Sequence, residues 1–241
     1  SPDPATGARA TPIYQTASYV FENTDHASDL FAGKAFGNIY TRIMNPTQDV
    51  LEKRMAELEG GTASLAVASG HAAQFIALHP LLSPGNEFVA SNKLYGGSIN
   101  QFNHSFKKFD WKVRWANAND IDSYKKSVND KTRAIFVESI ANPGGIITDI
   151  EPIARVAEDA GIPLIVDNTM ATPVLCKPFN HGANIIIHSL TKFLGGQGNS
   201  VGGVIVDGGN FDWSKNDKFP DLSQPHPSYH GYKFHETFGE M

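Results

Sequence analysis

Short runs of unbroken apolar residues recur along the chain, and they constrain its fold more than any other feature. Pro163-Leu-Ile-Val-Asp167, Ile185-Ile-Ile187 and Gly203-Val-Ile-Val206 lack the polar alternation of a half-exposed strand. The same holds for Glu87-Phe-Val-Ala90 and for most of Arg133-Ala-Ile-Phe-Val-Glu138. A strand that is apolar on both sides has to be covered on both sides. Helical spacing fills the gaps between runs: Ile150, Ile153, Val156 and Ala157 share one face, and Gly161 marks the end of that helix. The alternation predicts an α/β fold, a mostly parallel sheet flanked by helices.

The other elements follow the same punctuation. Asn45-Pro46-Thr47 reads as a helix start, with Leu51, Met55 and Leu58 on one face and Gly60-Gly61 as the stop. Ser64-Leu-Ala-Val-Ala68 reads as a buried strand. Ser69-Gly70 then opens a helix from His71 to about Leu82, with Pro80 expected to kink or end it. Gly97 to about Phe106 and Ile121 to Val128 read as helices on either side of a strand at Lys112–Trp115. Residues 1–44 carry little periodicity. They read as an arm toward a neighbouring subunit or as a coil on their own domain, and residues 45–241 as one α/β domain. Past Asp207 the pattern dissolves.

Composition narrows the partners. The 241 residues are 41% hydrophobic, enough for a large core, and the net charge is −5 without a basic patch, which argues against nucleic acid. No apolar run approaches the roughly 20 residues of a membrane span. Cys176 is the one cysteine, so no internal disulfide can form, as suits a reducing, cytoplasmic setting. His226 and His230 have a metal-like spacing, but Pro225 and Pro227 break the helix that spacing needs and no third ligand is evident, so no metal site is expected.

The chemistry is expected where strands stop. Lys192 follows the isoleucine run, where partial desolvation would lower its pKa and make it a nucleophile or base. Asp167 ends one of the most apolar runs, Glu138 and Asn142 follow another, and Tyr95 lies in a glycine-rich turn. Ser69-Gly70 opens a helix whose free N–H groups suit a phosphate, and Ser189 and Thr191 add hydroxyls. One lysine, one strand-end carboxylate, a phosphate cradle and a ring for stacking suit pyridoxal 5′-phosphate.

Six segments in order carry a family resemblance: Tyr40-Thr-Arg-Ile-Met-Asn-Pro-Thr47, Ala68-Ser-Gly-His-Ala-Ala73, Leu94-Tyr-Gly-Gly97, Glu138-Ser-Ile-Ala-Asn-Pro143, Val166-Asp-Asn-Thr-Met-Ala-Thr-Pro173 and His188-Ser-Leu-Thr-Lys-Phe193. On these the chain resembles the Cys/Met-metabolism pyridoxal phosphate enzymes. Thr6–Gln15, Ser69–Gln74, Tyr229–His235 and Phe238–Met241 look most like the O-acetylhomoserine sulfhydrylase branch. The resemblance implies a type-I aminotransferase-like large domain. It implies that Lys192 bonds the cofactor aldehyde and then shuttles protons, that Asp167 pairs with the ring nitrogen beside Thr169, and that Tyr95 stacks on the ring. It further implies phosphate contacts from Gly70, His71, Ser189 and Thr191, and Asn142 near the phenolic oxygen with Glu138 supporting it. Tyr40 and Arg42 would reach a neighbouring subunit's phosphate, hence a homodimer or homotetramer.

The implied reaction is γ-replacement on a small amino-acid substrate: O-acetylhomoserine with sulfide or methanethiol gives homocysteine or methionine and acetate. A cystathionine or methionine γ-lyase or γ-synthase is the alternative within the family. The chain departs from the pattern at His71, often Met in relatives, and at Asn184, often Asp. It also stops at Met241, before the smaller domain that grips the substrate carboxylate, and starts at Ser1 with a shortened lead. A truncated large domain is therefore expected, with a catalytically silent cofactor-binding fragment as the alternative of another class.

Overall fold

The structure is a computed structural model that describes residues 2–239. Ser1 and the motif residues Glu240 and Met241 lie outside the described residues. The chain divides into two compact units, Ser1–Arg54 and Met55–Met241.

The first unit contains α1 (Thr24–Phe31) and most of α2 (Pro46–Glu59). Asn23 caps α1, its side chain accepting from the His26 amide at 2.8 Å. This helix falls in the stretch that reads as unpatterned, because eight residues with one buried side chain, Leu30, leave little periodicity. Asn45 starts α2 as expected, its side chain accepting from the Thr47 amide at 2.9 Å. Several large apolar side chains here are exposed, Val20 and Phe36 by more than 90%.

The second unit is built on one seven-stranded sheet. In chain order its elements are β1 (Ala63–Val67), α3 (Gly70–Leu78), β2 (Glu87–Ser91), α4 (Gly96–Asn100), β3 (Lys112–Ala116), α5 (Ile121–Ser127) and β4 (Thr132–Glu138). Then come α6 (Ile150–Asp159), β5 (Leu164–Asp167), α7 (Thr172–Leu175), β6 (Ile185–Ser189) and β7 (Gly203–Asp207). Short helices α8 (Pro220–Ser223) and α9 (Phe234–Phe238) follow. The strand order is β1-β7-β6-β5-β4-β2-β3. All the strands run one way except β7, which is antiparallel to both its neighbours, β1 and β6. The expectation of a mostly parallel sheet flanked by helices holds.

Alternation along the strands sorts the core. Ile187 and Ile205 pack into the main core with Ala73 and Ala77 of α3. Ile186, Val204 and Val206, on the other face, form a second cluster with Met55 of α2. Phe88, Phe102, Phe106 and Phe136 fill the middle of the main core, with Phe88 and Phe102 edge to face at 4.9 Å between centroids.

Two local expectations are corrected. Residues Ala63–Val67 are not buried on both sides: β1 is an edge strand, paired only with β7, and Leu65 is 45% exposed. The helix after Ser69 ends at Leu78 rather than near Leu82: His79 still has helical angles, and Pro80, which has no N–H to offer, ends the ladder as expected of it.

Candidate active site

The parallel strands end on one edge of the sheet, and β7 begins there. A cavity of about 480 Å³ opens on that edge. Asp167 closes β5 on its floor and keeps a little exposed surface. Asp167 Oδ1 accepts from the Thr169 amide at 3.0 Å and the Thr169 hydroxyl at 2.5 Å. That hydroxyl in turn accepts from the Ser189 amide at 2.8 Å, which ties the end of β6 to the end of β5. Burial pushes the Asp167 carboxyl above its usual range, and the bonds from Thr169 oppose the shift. Among the described residues no cation forms an ion pair with Asp167.

Glu138 ends β4 and is buried. Its two oxygens accept from the Tyr95 amide at 2.7 Å and the Asn142 amide at 2.9 Å, so it holds two loops of the cavity wall together. Burial, and then the neighbouring Asp167 charge, push its pKa up to about 7, against those two amide bonds. A carboxyl raised in the folded state stabilises the fold fully below its unfolded value, and that contribution is lost as pH rises through the folded value. The cost on going from pH 4.5 to above 7 is about 3 kcal/mol, at roughly 1.4 kcal/mol per unit. Glu138→Gln is expected to remove this pH dependence while losing one amide acceptor. Denaturant unfolding at pH 5 and pH 8 reads it directly: equal slopes with pH in variant and wild type would contradict it.

Ser69 and Gly70 form the cradle. The Ser69 side chain accepts from the Ala72 amide at 3.1 Å and caps α3, whose first-turn amides have no helical acceptor. Gly70 is needed there because a Cβ would sit 2.8 Å from Ser189 Cβ. Gly203, at the start of β7, is closer still: a Cβ would lie 2.1 Å from the Ser69 carbonyl oxygen. Ser189 lines the cavity beside them. The Thr191 hydroxyl is engaged with the backbone of Gly202, accepting from its N–H at 3.2 Å and facing its carbonyl at 3.3 Å.

Lys192, Tyr95, His71 and Asn142 complete the lining. Tyr95 is 46% exposed, and its ring lies 6.0 Å from the His71 ring, centroid to centroid. Gly97 makes room for both, since a Cβ there would come within 2.4 Å of Tyr95 and 2.9 Å of His71. Lys192 corrects an expectation: it is exposed rather than partly desolvated, because the chain turns out of the sheet after Ser189. Tyr40 and Arg42 belong to the other compact unit, where the Arg42 guanidinium lies 5.3 Å from the centre of the Tyr40 ring. Asn184 sits at the opposite end of β6, accepting from the Leu164 amide at 2.8 Å, a structural role as expected.

Several lining residues have no sequence signal of their own. Gln74 is buried on α3, and Met170, Phe193 and Val201 read as ordinary apolar positions. A second group behind the sheet went unread. His188 Nε2 lies 2.5 Å from Glu59 Oε1, and Asn168 Nδ2 donates to the same oxygen at 2.9 Å. His188 could have been found, since alternation after three isoleucines puts it inside. Glu59 could not, since Glu57-Leu-Glu-Gly60 reads as a solvated helix end.

Comparison with known proteins agrees with the geometry. The model of the family described as Cys/Met metabolism PLP-dependent enzyme matches residues 1–231. The chain is similar to O-acetyl-L-homoserine sulfhydrylase of Leptospira meyeri, 53% identical over all of this chain and 54% of the relative. It is also similar to homocysteine synthase of Schizosaccharomyces pombe, 48% identical over all of this chain and 56% of the relative. A crystal structure of a Campylobacter jejuni protein assigned as an O-acetylhomoserine (thiol)-lyase, with N′-pyridoxyl-lysine-5′-monophosphate, superposes with a TM-score of 0.95. It is 41% identical, covering 99% of this chain and 59% of its own. The chain thus spans little more than half the length of the relatives it matches.

Proposed function

The chain belongs to the Cys/Met metabolism PLP-dependent enzyme family, and on that premise we propose that its cavity holds pyridoxal 5′-phosphate and serves γ-replacement. O-acetylhomoserine and sulfide would give homocysteine and acetate, or methanethiol would give methionine. One observation carries the reading: a strand-end carboxylate without a cation, Asp167, shares a cavity with an exposed lysine and a glycine-bearing helix start.

The residues suit the cofactor at each part. Asp167 offers an anion to a protonated ring nitrogen, and Thr169 fixes the orientation of that carboxylate. The first-turn amides at Gly70 and His71, with the Ser189 and Thr191 hydroxyls, suit a phosphate dianion. Tyr95 presents a ring face, held through its backbone by Glu138, and Asn142 is held by the same carboxyl. Lys192 is free to reach the aldehyde. When bound, the cofactor supplies an electron sink for charge that develops at the substrate Cα and Cβ. Lys192 would take the proton from the substrate Cα and would return protons as the product forms.

Partners follow the same reading: a small amino acid, a thiol or sulfide, and a second copy of the chain. Residues 1–44 act as an arm, with Tyr40 and Arg42 meeting the phosphate of a neighbouring copy in a homodimer or homotetramer, and residues 45–241 form the cofactor domain. Among the described residues no helix is long and apolar enough to cross a membrane. With its one unpaired cysteine this suits the cytoplasm.

The test is turnover with O-acetylhomoserine and sulfide after loading with pyridoxal phosphate. Acetate and homocysteine are expected in equal amounts. α-Keto acid and ammonia alone would replace the reading with a γ-lyase. A visible absorbance band without turnover would leave a cofactor-binding unit only.

A further inference from the structure

Tyr95 is 46% exposed, so burial alone does not fix its ring. A ring that is to lie against a planar ligand has to be held by its supports. Glu138 fixes the Tyr95 amide, and a joint between α3 and α4 fixes the turn that follows. α4 continues into a wide π turn, Gln101–Ser105. Gln74 Nε2 donates to Ser98 Oγ at 2.7 Å, and Gln101 Nε2 donates to the His71 carbonyl at 3.0 Å. His71 and Gln74 are three residues apart on α3, and Ser98 and Gln101 are three apart on the other side, so each pair shares a face. The partners step in opposite directions, His71 with Gln101 and Gln74 with Ser98, as in an antiparallel contact.

The joint is costly in itself. Gln74 is 3% exposed and Ser98 is fully buried. The Oε1 atoms of Gln74 and Gln101 are both buried, and among the described residues neither has a hydrogen-bond partner. An enclosed amide carbonyl without a donor has lost its hydration without replacement. Packing alone would be served better by apolar side chains, as it is nearby by Ala73, Ala77 and Phe102. Polar groups kept inside at a cost mark places where one arrangement has to be specified.

We infer that Gln74 is a positioning residue: through Ser98 it sets the placement of the Tyr95 ring relative to the phosphate cradle. Gly70 lies one turn before Gln74 on α3, and Tyr95 lies one turn before Ser98, so the 2.7 Å bond ties cradle and ring together. His71 completes the coupling, with its carbonyl held by Gln101 and its ring 6.0 Å from that of Tyr95. Gly97 lets both rings approach, since a Cβ there would meet each of them. Tyr95 is thus held from both sides, by Glu138 at its amide and by Gln74 through the turn behind it. The use of the ring against a cofactor rests on the reading proposed above, whereas the placement of Tyr95 by Gln74 does not.

Two measurements separate the two levels. Gln74→Met removes the donor and the unpaired carbonyl together at similar volume. The first measurement is NMR on the whole chain without cofactor, carrying ¹³C-labelled tyrosine, with Tyr95→Phe to assign the Tyr95 ring. Its signals are expected to shift in Gln74→Met, while the denaturant unfolding midpoint stays at or above that of wild type. The second is the pyridoxal phosphate dissociation constant, expected to rise roughly fivefold, the equivalent of about one neutral hydrogen bond. Gln74 also hydrogen-bonds Asp167, so the comparison is repeated in a Tyr95→Ala background, where the rise is expected to disappear. Ser98→Ala breaks the joint from the other side and is expected to reproduce both results. Tyr95 signals that stay in place in either folded variant overturn the inference. So does a rise in dissociation constant that persists undiminished without Tyr95. Signals that move in a chain that binds no pyridoxal phosphate uphold the placement of Tyr95 and refute the cofactor reading instead.

Discussion

Lys192→Ala is expected, on the proposed function, to lower turnover of O-acetylhomoserine by roughly 10⁴-fold, the upper range for loss of a positioned acid–base group, and to leave cofactor that dialysis removes. The substitution deletes the one amine in the described cavity lining while sparing its walls. Lys192 is exposed, and among the described residues its side chain forms no ion pair, so the variant should fold with wild-type stability. Its effect is then separable from damage: unchanged unfolding midpoint, lost visible absorbance, lost turnover. Added small amines should restore part of the rate, because the proton carrier is missing but its place is open. Retention of more than about one-hundredth of wild-type turnover would remove Lys192 from the proton transfers assigned to it.

Gly203→Ala is expected to be the most damaging single methyl in the cradle. The added Cβ would lie 2.1 Å from the Ser69 carbonyl oxygen and 2.4 Å from its carbon, both backbone atoms in the turn that caps α3. No side chain can rotate away to relieve that contact. Gly203 is also hydrogen-bonded into both neighbours, opposite Val67 on β1 and Ser189 on β6. Overpacking costs about 1–3 kcal/mol where side chains can adjust. Here the backbone has to move, so a loss of about 3 kcal/mol or more is expected, with weaker binding of pyridoxal phosphate as Ser69 and Gly70 are pushed aside. Gly202→Ala is the control, since its Cβ would meet Leu190 at 3.5 Å and the Val67 carbonyl oxygen at 3.9 Å, both ordinary contacts. Denaturant unfolding of the two variants decides it: equal stabilities would show that the cradle backbone is free to shift.

The sequence carried the parallel strands because unbroken apolar runs have few other solutions, and it carried Asp167, Glu138 and Ser189 because each closes such a run. It could not give direction. Gly203-Val-Ile-Val206 is as apolar as Ile185-Ile-Ile187, yet β7 runs opposite, and only its pairing with both β1 and β6 shows it. Nor could it distinguish β1 as an edge, since Leu65 is exposed by its position in the sheet and not by its neighbours in sequence. The site was legible as a set of residue types at strand ends. What was not legible is how they are held: Glu138 by two loop amides, Thr169 between two strands, and Glu59 from a helix more than a hundred residues away from His188. Such contacts follow from tertiary geometry that no local pattern encodes.

The place of β7 has a consequence for the order in which a ribosome could complete this fold. β2 and β3 are sequential neighbours, and β4, β5 and β6 then add one by one as they emerge. β1 is made before all of them, but among the described residues its one strand neighbour is β7, the last strand of the sheet to be synthesised. Until residue 203 leaves the exit tunnel, β1 is an open edge, and Ser69 and Gly70 have no wall behind them. Long-range pairing of this kind is slow and exposes unpaired backbone while it waits. A nascent chain stalled before β7 would thus contain every residue assigned to the cofactor and still lack the pocket to hold it.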